Sequence, residues 1–196
     1  MSLFLDAAKQ WNDLLDVTYV IHIGHKSQSK ILRLVFRDID FNHLSGIHYA
    51  TDVDFKLHKK EYQGAKLLQA VCSGKMDPLL IEKSAKWSKI SNRLYGIQNM
   101  RRILNSDFKI YKFSAEKLPF FSKISASYLL YNERLKKGFF LFLDVDGCHF
   151  YCKSIFVDDK QNYTLNQTNW VILKKDIIEN GSTTTLYKNP SYIEEV

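Results

Sequence analysis

Cysteine is scarce in this 196-residue chain, and long apolar runs are missing from it. Its three cysteines, Cys72, Cys148 and Cys152, form an odd set without a C-x-x-C pair, which argues against a disulfide framework. No apolar run approaches the roughly 18 residues of a membrane span. Residues 1–6 lack the basic start of a secretory signal. We therefore expect a soluble protein of the reducing cytoplasm, without a membrane partner.

The sequence also lacks the short motifs of the commonest nucleotide-binding and hydrolytic sites. It contains no P-loop, G-x-G-x-x-G, H-E-x-x-H, G-x-S-x-G or EF-hand pattern. On one regular strand Cys148 and Cys152 would stand roughly 13 Å apart, at a rise of ~3.3 Å per residue, which is too far to share one ion. We therefore expect neither a metal site nor a cofactor.

Charge is only mildly unbalanced, but the imbalance is concentrated. The chain carries 28 lysines and arginines against 21 acidic residues, and residues 1–105 hold 16 of the basic and 10 of the acidic ones. The segment 82–105 has six basic residues and a single acid, Glu82. This excess favours an anionic partner for that segment, although solubility alone explains a charge of this size equally well.

The first half of the chain is mainly helical in pattern. Apolar side chains recur at helical spacing behind Ser2, a residue type favoured at the N-cap. Asp77-Pro78 is a strong helix start, and the pattern that follows it is interrupted near Ala85. The predicted elements are a helix over 3–15, a β-hairpin of strands 17–23 and 32–36, a turn closed by Gly46, a helix over 58–73, and a helical stretch from Asp77 to about Asn105.

The second half is mainly strands. They are predicted over residues 108–113, 125–131, 139–145, 149–157, 170–178 and 183–188. Turn signals at Asp146-Gly147 and Asn180-Gly181 join successive strands, as in an antiparallel meander. We therefore predict an α+β fold, with N-terminal helices packed on a C-terminal antiparallel β-sheet and an additional N-terminal β-hairpin.

A few side chains have chemistry that suits a site. His43 lies just before the glycine-closed turn, and a pKa near ~6.5 suits proton transfer, although a structural histidine is the alternative. His48 is the other histidine of interest. Arg93 and Arg101 lie on or beside an apolar helical stripe, where they either reach out to solvent or face a cleft and bind phosphate.

On a regular strand over 149–157, alternate side chains face opposite sides. Cys152, Ser154 and Phe156 would then face the core, while Tyr151 and Lys153 face the other side. That second side is either an ordinary solvated surface or a surface that receives a ligand.

Several blocks in fixed order resemble a known family. The blocks are Phe41-x-His43-Leu44-Ser45-Gly46, then Lys89-Ile90-x-x-Arg93-Leu94, then Lys153-Ser154-Ile155-Phe156, with Tyr163 in the following loop, and finally Ile172-Leu173-Lys174-Lys175. Together they resemble the fourth family of the phage-associated nucleases that are grouped with barnase, EndoU, the tRNase colicins and the RelE toxins. The resemblance covers residues 17–178.

The resemblance implies a barnase- or RelE-like fold and metal-independent cleavage of RNA. The ribose 2′-OH would attack its own phosphate and give a 2′,3′-cyclic product. His43 would supply acid–base function, Arg93 and Lys153 would bind phosphate, and Ser154 and Tyr163 would donate hydrogen bonds. Because Lys153 and Ser154 face opposite sides of a regular strand, both can serve the site only through a bulge or twist. We predict three further phosphate ligands, which are Lys89 and Lys174 in the matching blocks and Arg101 on the apolar helical stripe.

We therefore predict a single nuclease-like domain over residues 1–196. Residues 1–16 form its N-terminal helix, 17–178 its core, and 179–196 a C-terminal hairpin strand and tail. The expected protein is a ribonuclease of a phage or mobile element, toxin-like, with RNA such as tRNA as substrate and an inhibitor or antitoxin as a possible partner. The alternatives are a non-catalytic nucleic-acid-binding module on the same fold and a protein-interaction module.

Overall fold

A computed structural model describes residues 2–53, 62–133, 137–158 and 161–193. Its helices are α1 Leu3–Asn12, α2 Asp38–Ser45, α3 Ala65–Cys72, α4 Leu79–Glu82, α5 Trp87–Gln98 and α6 Met100–Asn105, with short 3-10 turns at Ile47–Tyr49 and Ala115–Lys117. Its strands are β1 Val17–His25, β2 Gln28–Val35, β3 Lys109–Lys112, β4 Tyr128–Asn132, β5 Phe139–Asp146, β6 His149–Val157, β7 Thr168–Glu179 and β8 Ser182–Lys188. The predicted strands are confirmed, and so are the helices, except that the helix predicted over 58–73 begins only at Ala65, after Gly64 with a left-handed φ of 57°. Positions 58–61 of that prediction lie outside the described residues.

The helix boundaries follow from local chemistry. The Ser2 side chain accepts a hydrogen bond from the backbone N–H of Leu5, and Asp77 accepts one from Leu79 at 2.9 Å. The predicted interruption near Ala85 is present, because the Asp52 carboxylate accepts hydrogen bonds from Ser84 Oγ and from the Ala85 N–H. These caps divide the stretch after Asp77 into short helices.

The predicted fold class is wrong, because the strands close into a barrel. The described strands run in the order β1-β2-β6-β5-β4-β3-β7-β8, and β1 also pairs with β7. Seven strands therefore form a closed ring with β8 on its outside. The pairing is mixed, since β2 and β6 run parallel at Leu34–Phe150 and Val35–Tyr151. The expectation of helices packed on an antiparallel sheet does not hold.

The reason lies in the N-terminal hairpin. This hairpin was predicted as an addition to the C-terminal sheet. In the structure β1 pairs with β7 from Val17 to Gly24, and β2 pairs with β6. The hairpin thus joins the two edges of the C-terminal meander and removes both of them. A barrel results, and the helices pack against its strands instead of covering an open sheet.

Two apolar clusters stabilise this arrangement. The larger one joins the buried sides of the helices to one face of the strands. The smaller one lies on the other face of β4 to β6 and contains Phe113, Leu118, Leu129, Phe140 and Phe142, with Tyr163 packed against it. Within the described residues, no helix is both long and apolar enough to cross a membrane.

Helix α5 lies unusually close to β6. A Cβ atom added to Gly96 would stand 2.5 Å from Ile155 Cδ1 and 3.1 Å from Phe139 Cε1, so only glycine allows this approach without a shift. One turn earlier on α5, Arg93 reaches the ring of Phe156. The close contact between helix and strand therefore positions an arginine over β6.

Candidate functional site

Two histidines stack at the end of α2. His43 lies in the last turn of this helix, which ends at Gly46 with a left-handed φ of 73°. The chain then turns through the 3-10 segment, and the His48 ring stacks on that of His43 with 5.5 Å between centroids and 8° between planes. His48 also lies 4.1 Å from the Tyr49 ring. Sequence reasoning noticed His48 but gave it no role.

Both imidazoles favour their neutral form. Partial burial lowers the pKa of His43, and the positive charges of Arg93 and Lys153 lower it further, while Asp40 acts in the opposite direction. Burial also lowers the pKa of His48, together with the charges of His43 and Arg93. Each ring therefore keeps a nitrogen that can accept a proton at neutral pH.

Arg93 is a buried cation that packs on aromatic rings. Only 5% of the surface of Arg93 is accessible to solvent. Its guanidinium lies 4.7 Å from the ring centroid of Phe156 and 5.5 Å from that of Tyr49. It donates a long hydrogen bond of 3.5 Å to the Leu44 carbonyl. Burial lowers its pKa, and the interactions that oppose this come from tyrosines. Within the described part of the chain no acid neutralises it, so its charge can act on an anion.

Strand β6 contains a bulge at Lys153. Leu143 of β5 pairs with Cys152, whereas the preceding Phe142 pairs with Ser154, so Lys153 is an extra residue. Cys152 and Ile155 both join the larger core although they are three positions apart. Lys153 and Ser154 therefore both lie on the side away from that core. The regular alternation expected for β6 is wrong from Ser154 onward.

Lys153 is held by Asp144 on the neighbouring strand. Its ammonium forms an ion pair with the Asp144 carboxylate, which also accepts a hydrogen bond of 3.0 Å from Ser127 Oγ. Burial works against the charged carboxylate, but the hydrogen bonds from Lys153 and the Val145 N–H outweigh it and lower the pKa of Asp144. The ion pair fixes the direction of Lys153, whose charge is sensed by His43.

A pocket of about 550 Å³ opens beside Arg93. The Tyr163 ring packs on Phe156 at 5.9 Å and 19°, and its hydroxyl donates to Gln161 Oε1 at 2.8 Å. Lys89 places its ammonium 3.7 Å from the centre of the Tyr49 ring. The pocket is lined by Ser88, Lys89, Asn92, Arg93, Phe156, Val157, Gln161 and Tyr163.

The structure therefore brings most of the candidate residues into one region. His43, Arg93 and Lys153 interact electrostatically, Ser154 adjoins Lys153 at the bulge, and Tyr163 interacts with Arg93. Neutral imidazoles beside cations and hydroxyl donors can move protons and hold a phosphate group. Among the residues that the structure describes, no three His, Cys, Asp or Glu side chains gather as metal ligands would.

Two further candidates lie elsewhere and are paired with acids. Arg101 donates two hydrogen bonds of 2.9 Å to the Glu179 carboxylate and a third to the Asp13 carbonyl. Lys174 forms an ion pair of 3.1 Å with Asp176 and lines a different pocket. Their assignment as phosphate ligands stays a prediction.

The family model described as phage-Barnase-EndoU-ColicinE5/D-RelE like nuclease4 matches residues 3–189, nearly the whole chain. No curated protein and no solved structure matches the chain. The resemblance based on the blocks from Phe41 to Lys175 is thereby confirmed, and the match extends beyond them to α1 and β8.

Proposed function

The chain belongs to the phage-associated family of barnase–EndoU–colicin–RelE-like nucleases, and from this premise we propose that it cleaves RNA without a metal ion. The ribose 2′-OH attacks the adjacent phosphorus, the bond to the 5′-oxygen breaks, and a 2′,3′-cyclic phosphate remains. The observation that carries the proposal is the neutral His43 beside Arg93, a cation that no acid among the described residues neutralises.

The first step needs a base for the 2′-OH. His43 accepts this proton, since its lowered pKa keeps the imidazole neutral. His48, stacked on it at 5.5 Å, first takes up a proton from solvent and then gives it to the leaving 5′-oxygen. The negative charge of a bound phosphate favours this protonation, against the burial and the positive neighbours that lower the pKa of His48. The stacked pair therefore supplies both an acid and a base.

The second need is stabilisation of the charge that develops on the phosphorane oxygens. Arg93 and Lys153 provide cations, and Asp144 orients the second of them. Ser154 donates a hydrogen bond from the bulge, and Tyr163 donates one from the pocket wall when its hydroxyl turns from Gln161 to the phosphate. Lys89 holds a neighbouring phosphate at the pocket rim.

Cleavage of total RNA in excess chelator tests this proposal. His43→Ala should lower the rate by about 10²- to 10⁴-fold, the usual contribution of acid–base catalysis. His149→Ala is the matched control, since this exposed histidine begins β6 outside the site. Equal activity in the wild type and His43→Ala would contradict a catalytic His43. Retardation of RNA without cleavage would favour the non-catalytic binding module.

The proposed attack can be tested separately from the residues. A 2′-deoxy nucleotide placed at a mapped cleavage position should block cleavage there, because it removes the attacking hydroxyl. Cleavage that continues at the deoxy position would overturn the cyclic-phosphate mechanism. A tRNA substrate, an inhibitor protein and a phage or mobile-element setting stay predictions that substrate mapping and co-purification would test.

A further inference from the structure

Two lysines converge on one tyrosine at the end of the barrel where β3 stops and β2 and β4 start. Lys30 is two positions from the buried Leu32, and Lys112 is two positions from the buried Ile110, so both lysines lie on the face of the larger core. The ammonium of Lys112 lies 4.8 Å from the ring centroid of Tyr128, and that of Lys30 lies 5.6 Å from it. We call this part of the barrel the Tyr128 rim.

The charge of the Tyr128 rim is not balanced. Within the described residues neither Lys30 nor Lys112 forms an ion pair. Burial and the positive charge of Lys30 lower the pKa of Lys112. Asp144 opposes this, but its carboxylate is already held by Lys153 and by Ser127 Oγ. The two ammonium groups therefore repel each other, and an anion bound beside both would relieve the repulsion.

The Tyr128 ring is fixed, whereas its hydroxyl is available. The ring is buried and makes edge contacts with Phe150 at 5.7 Å and with Trp170 at 6.2 Å between centroids. Within the described residues the hydroxyl forms no hydrogen bond, and no fully buried side-chain oxygen there lacks a partner. The hydroxyl therefore reaches solvent beside the two lysines, as a donor held in one position.

We propose that Lys30, Lys112 and the Tyr128 hydroxyl bind a phosphate group of the RNA chain away from the scissile position, an inference that rests on the proposed function. Two ammonium groups and a hydroxyl offer donors to the oxygens of one phosphate. Both lysines are exposed. The rim therefore suits a phosphodiester that passes across it better than a small anion that needs to be enclosed.

A chain of interactions joins the Tyr128 rim to the proposed catalytic centre. The Asp144 carboxylate acts on Lys112 and pairs with Lys153, whose charge is in turn sensed by His43. An RNA whose scissile phosphate lies at His43 and Lys153 therefore extends toward the rim along the end of β5. The rim contributes to the binding of longer RNA and takes no part in the chemical step.

Binding of a 2′-O-methyl RNA oligomer, which has no attacking hydroxyl, tests the subsite without cleavage. Each phosphate contact to single-stranded RNA adds about 0.7 to the steepness of log K against log salt. The double variant Lys30→Gln/Lys112→Gln should lose about 0.7, the value for one phosphate, in fluorescence anisotropy titrations. Lys9→Gln/Lys75→Gln removes the same charge at exposed positions on α1 and after α3 and should keep the slope. An unchanged slope in the first variant overturns the subsite.

Tyr128→Phe keeps the ring and both lysines and removes only the hydroxyl. Affinity for the oligomer should fall by roughly 3- to 10-fold, as for loss of one hydrogen bond, while the salt slope stays the same because no charge is lost. Tyr187→Phe, at an exposed position on β8, should leave the affinity unchanged. Equal affinity of Tyr128→Phe and the wild type contradicts the role of this hydroxyl.

Cleavage kinetics separate this inference from the proposed function. In Lys30→Gln/Lys112→Gln the KM for long RNA should rise by the factor that the oligomer affinity loses, with kcat unchanged. Cleavage with an unchanged KM overturns the subsite and leaves the nuclease intact. A reduced salt slope without cleavage by the wild type supports the subsite and overturns the proposed activity. Binding of inorganic phosphate that needs both lysines, with an unchanged RNA slope, overturns the RNA subsite and assigns the rim to a small anion.

Discussion

Arg93 and Arg101 lie eight positions apart on the consecutive helices α5 and α6, and their surroundings differ completely. Arg101 forms a two-pronged ion pair with Glu179, and this raises the pKa of its guanidinium. Arg93 packs on the rings of Phe156 and Tyr49, and burial lowers its pKa. Arg101 connects α6 to the end of β7, whereas no acid within the described residues pairs with Arg93.

The comparison shows that two arginines on neighbouring helices can differ in whether an acid balances their charge. A guanidinium in a carboxylate fork has its best hydrogen-bonding directions filled. The guanidinium of Arg93 is held on aromatic faces, and its hydrogen bonds within the described residues go to neutral groups, the Leu44 carbonyl and Tyr49. The same distinction separates Lys89, over the ring of Tyr49, from Lys174, which is paired with Asp176.

Exchange of each arginine for lysine should give the largest difference in kcat between two matched variants. Arg93→Lys keeps a charge but loses the planar fork, so kcat on RNA should fall by about 10²- to 10³-fold, as for loss of one preorganised charge donor. Arg101→Lys should leave kcat near the wild-type value and change the free energy of unfolding by less than about 1 kcal/mol. Initial rates, taken well below the melting temperature of each variant, measure this.

The opposite ranking of these two variants would break the comparison. Equal loss of kcat in both would show that Arg101 also contacts the substrate, as the sequence predicted. Loss of kcat in Arg93→Lys together with a collapsed melting transition would instead mean that Arg93 only supports the fold.

Two glycines with the same φ test whether the position of the Arg93 side chain matters for activity. Gly46 and Gly74 both have a φ of 73°, so alanine should cost each site about 1–2 kcal/mol in the free energy of unfolding. Only at Gly46 would the new Cβ meet another side chain, Arg93 Cδ at 2.8 Å. We therefore expect Gly46→Ala to melt at a lower temperature than Gly74→Ala. At a temperature well below both transitions, kcat should be roughly tenfold lower for Gly46→Ala alone, because the catalytic arginine is displaced.

An activity of Gly74→Ala as low as that of Gly46→Ala would attribute the loss to general destabilisation. Unchanged kcat in Gly46→Ala would show that Arg93 adapts without cost, or that it does not touch the reacting phosphate. Chemical denaturation of both variants under identical conditions provides the control.

The elements of the fold were predictable, but their closure was not. The apolar residues at every second position over residues 17–23 show that β1 is a strand, because successive side chains of a strand lie on opposite faces of the sheet. The edges of a strand are backbone and carry no residue signal, so the pairing of Val17–Gly24 with β7 could not be recognised. The hairpin therefore looked like an addition when it completes the barrel.

The candidate site was predictable in part, for a similar reason. The family resemblance pointed to His43, Arg93 and Lys153, which the structure brings together. The resemblance could not locate the bulge at Lys153, because a residue is extra only when β6 is compared with its partner strand β5. The contact between Asp144 and Lys153 was missed, since Asp144 belongs to none of the recognised blocks and meets Lys153 only through the pairing of β5 with β6.

Stability should depend on pH through the stacked histidines. Their pKa values are lowered in the folded protein and return to about 6.5 in the unfolded chain. At and just below pH 6.5, the unfolded chain therefore binds more protons than the folded protein does. The free energy of unfolding should therefore fall as the pH drops from about 7 to 5. Replacement of His43 and His48 by asparagine should flatten this slope in denaturant titrations. An unchanged slope would contradict the lowered pKa values.

The smallest expected effect is on the pKa of His43 itself, because Lys153 is a weaker influence on it than burial or Arg93. Lys153→Gln removes one positive charge and should raise the pKa of His43 in an NMR titration. The acidic limb of kcat/KM against pH should move upward in parallel, since His43 must be neutral to accept the 2′-OH proton. Lys26→Gln, in the β1–β2 turn, should change neither quantity. A shifted NMR pKa with an unmoved rate profile would mean that His43 senses Lys153 but is not the base, which would leave His48 as the residue that accepts the proton.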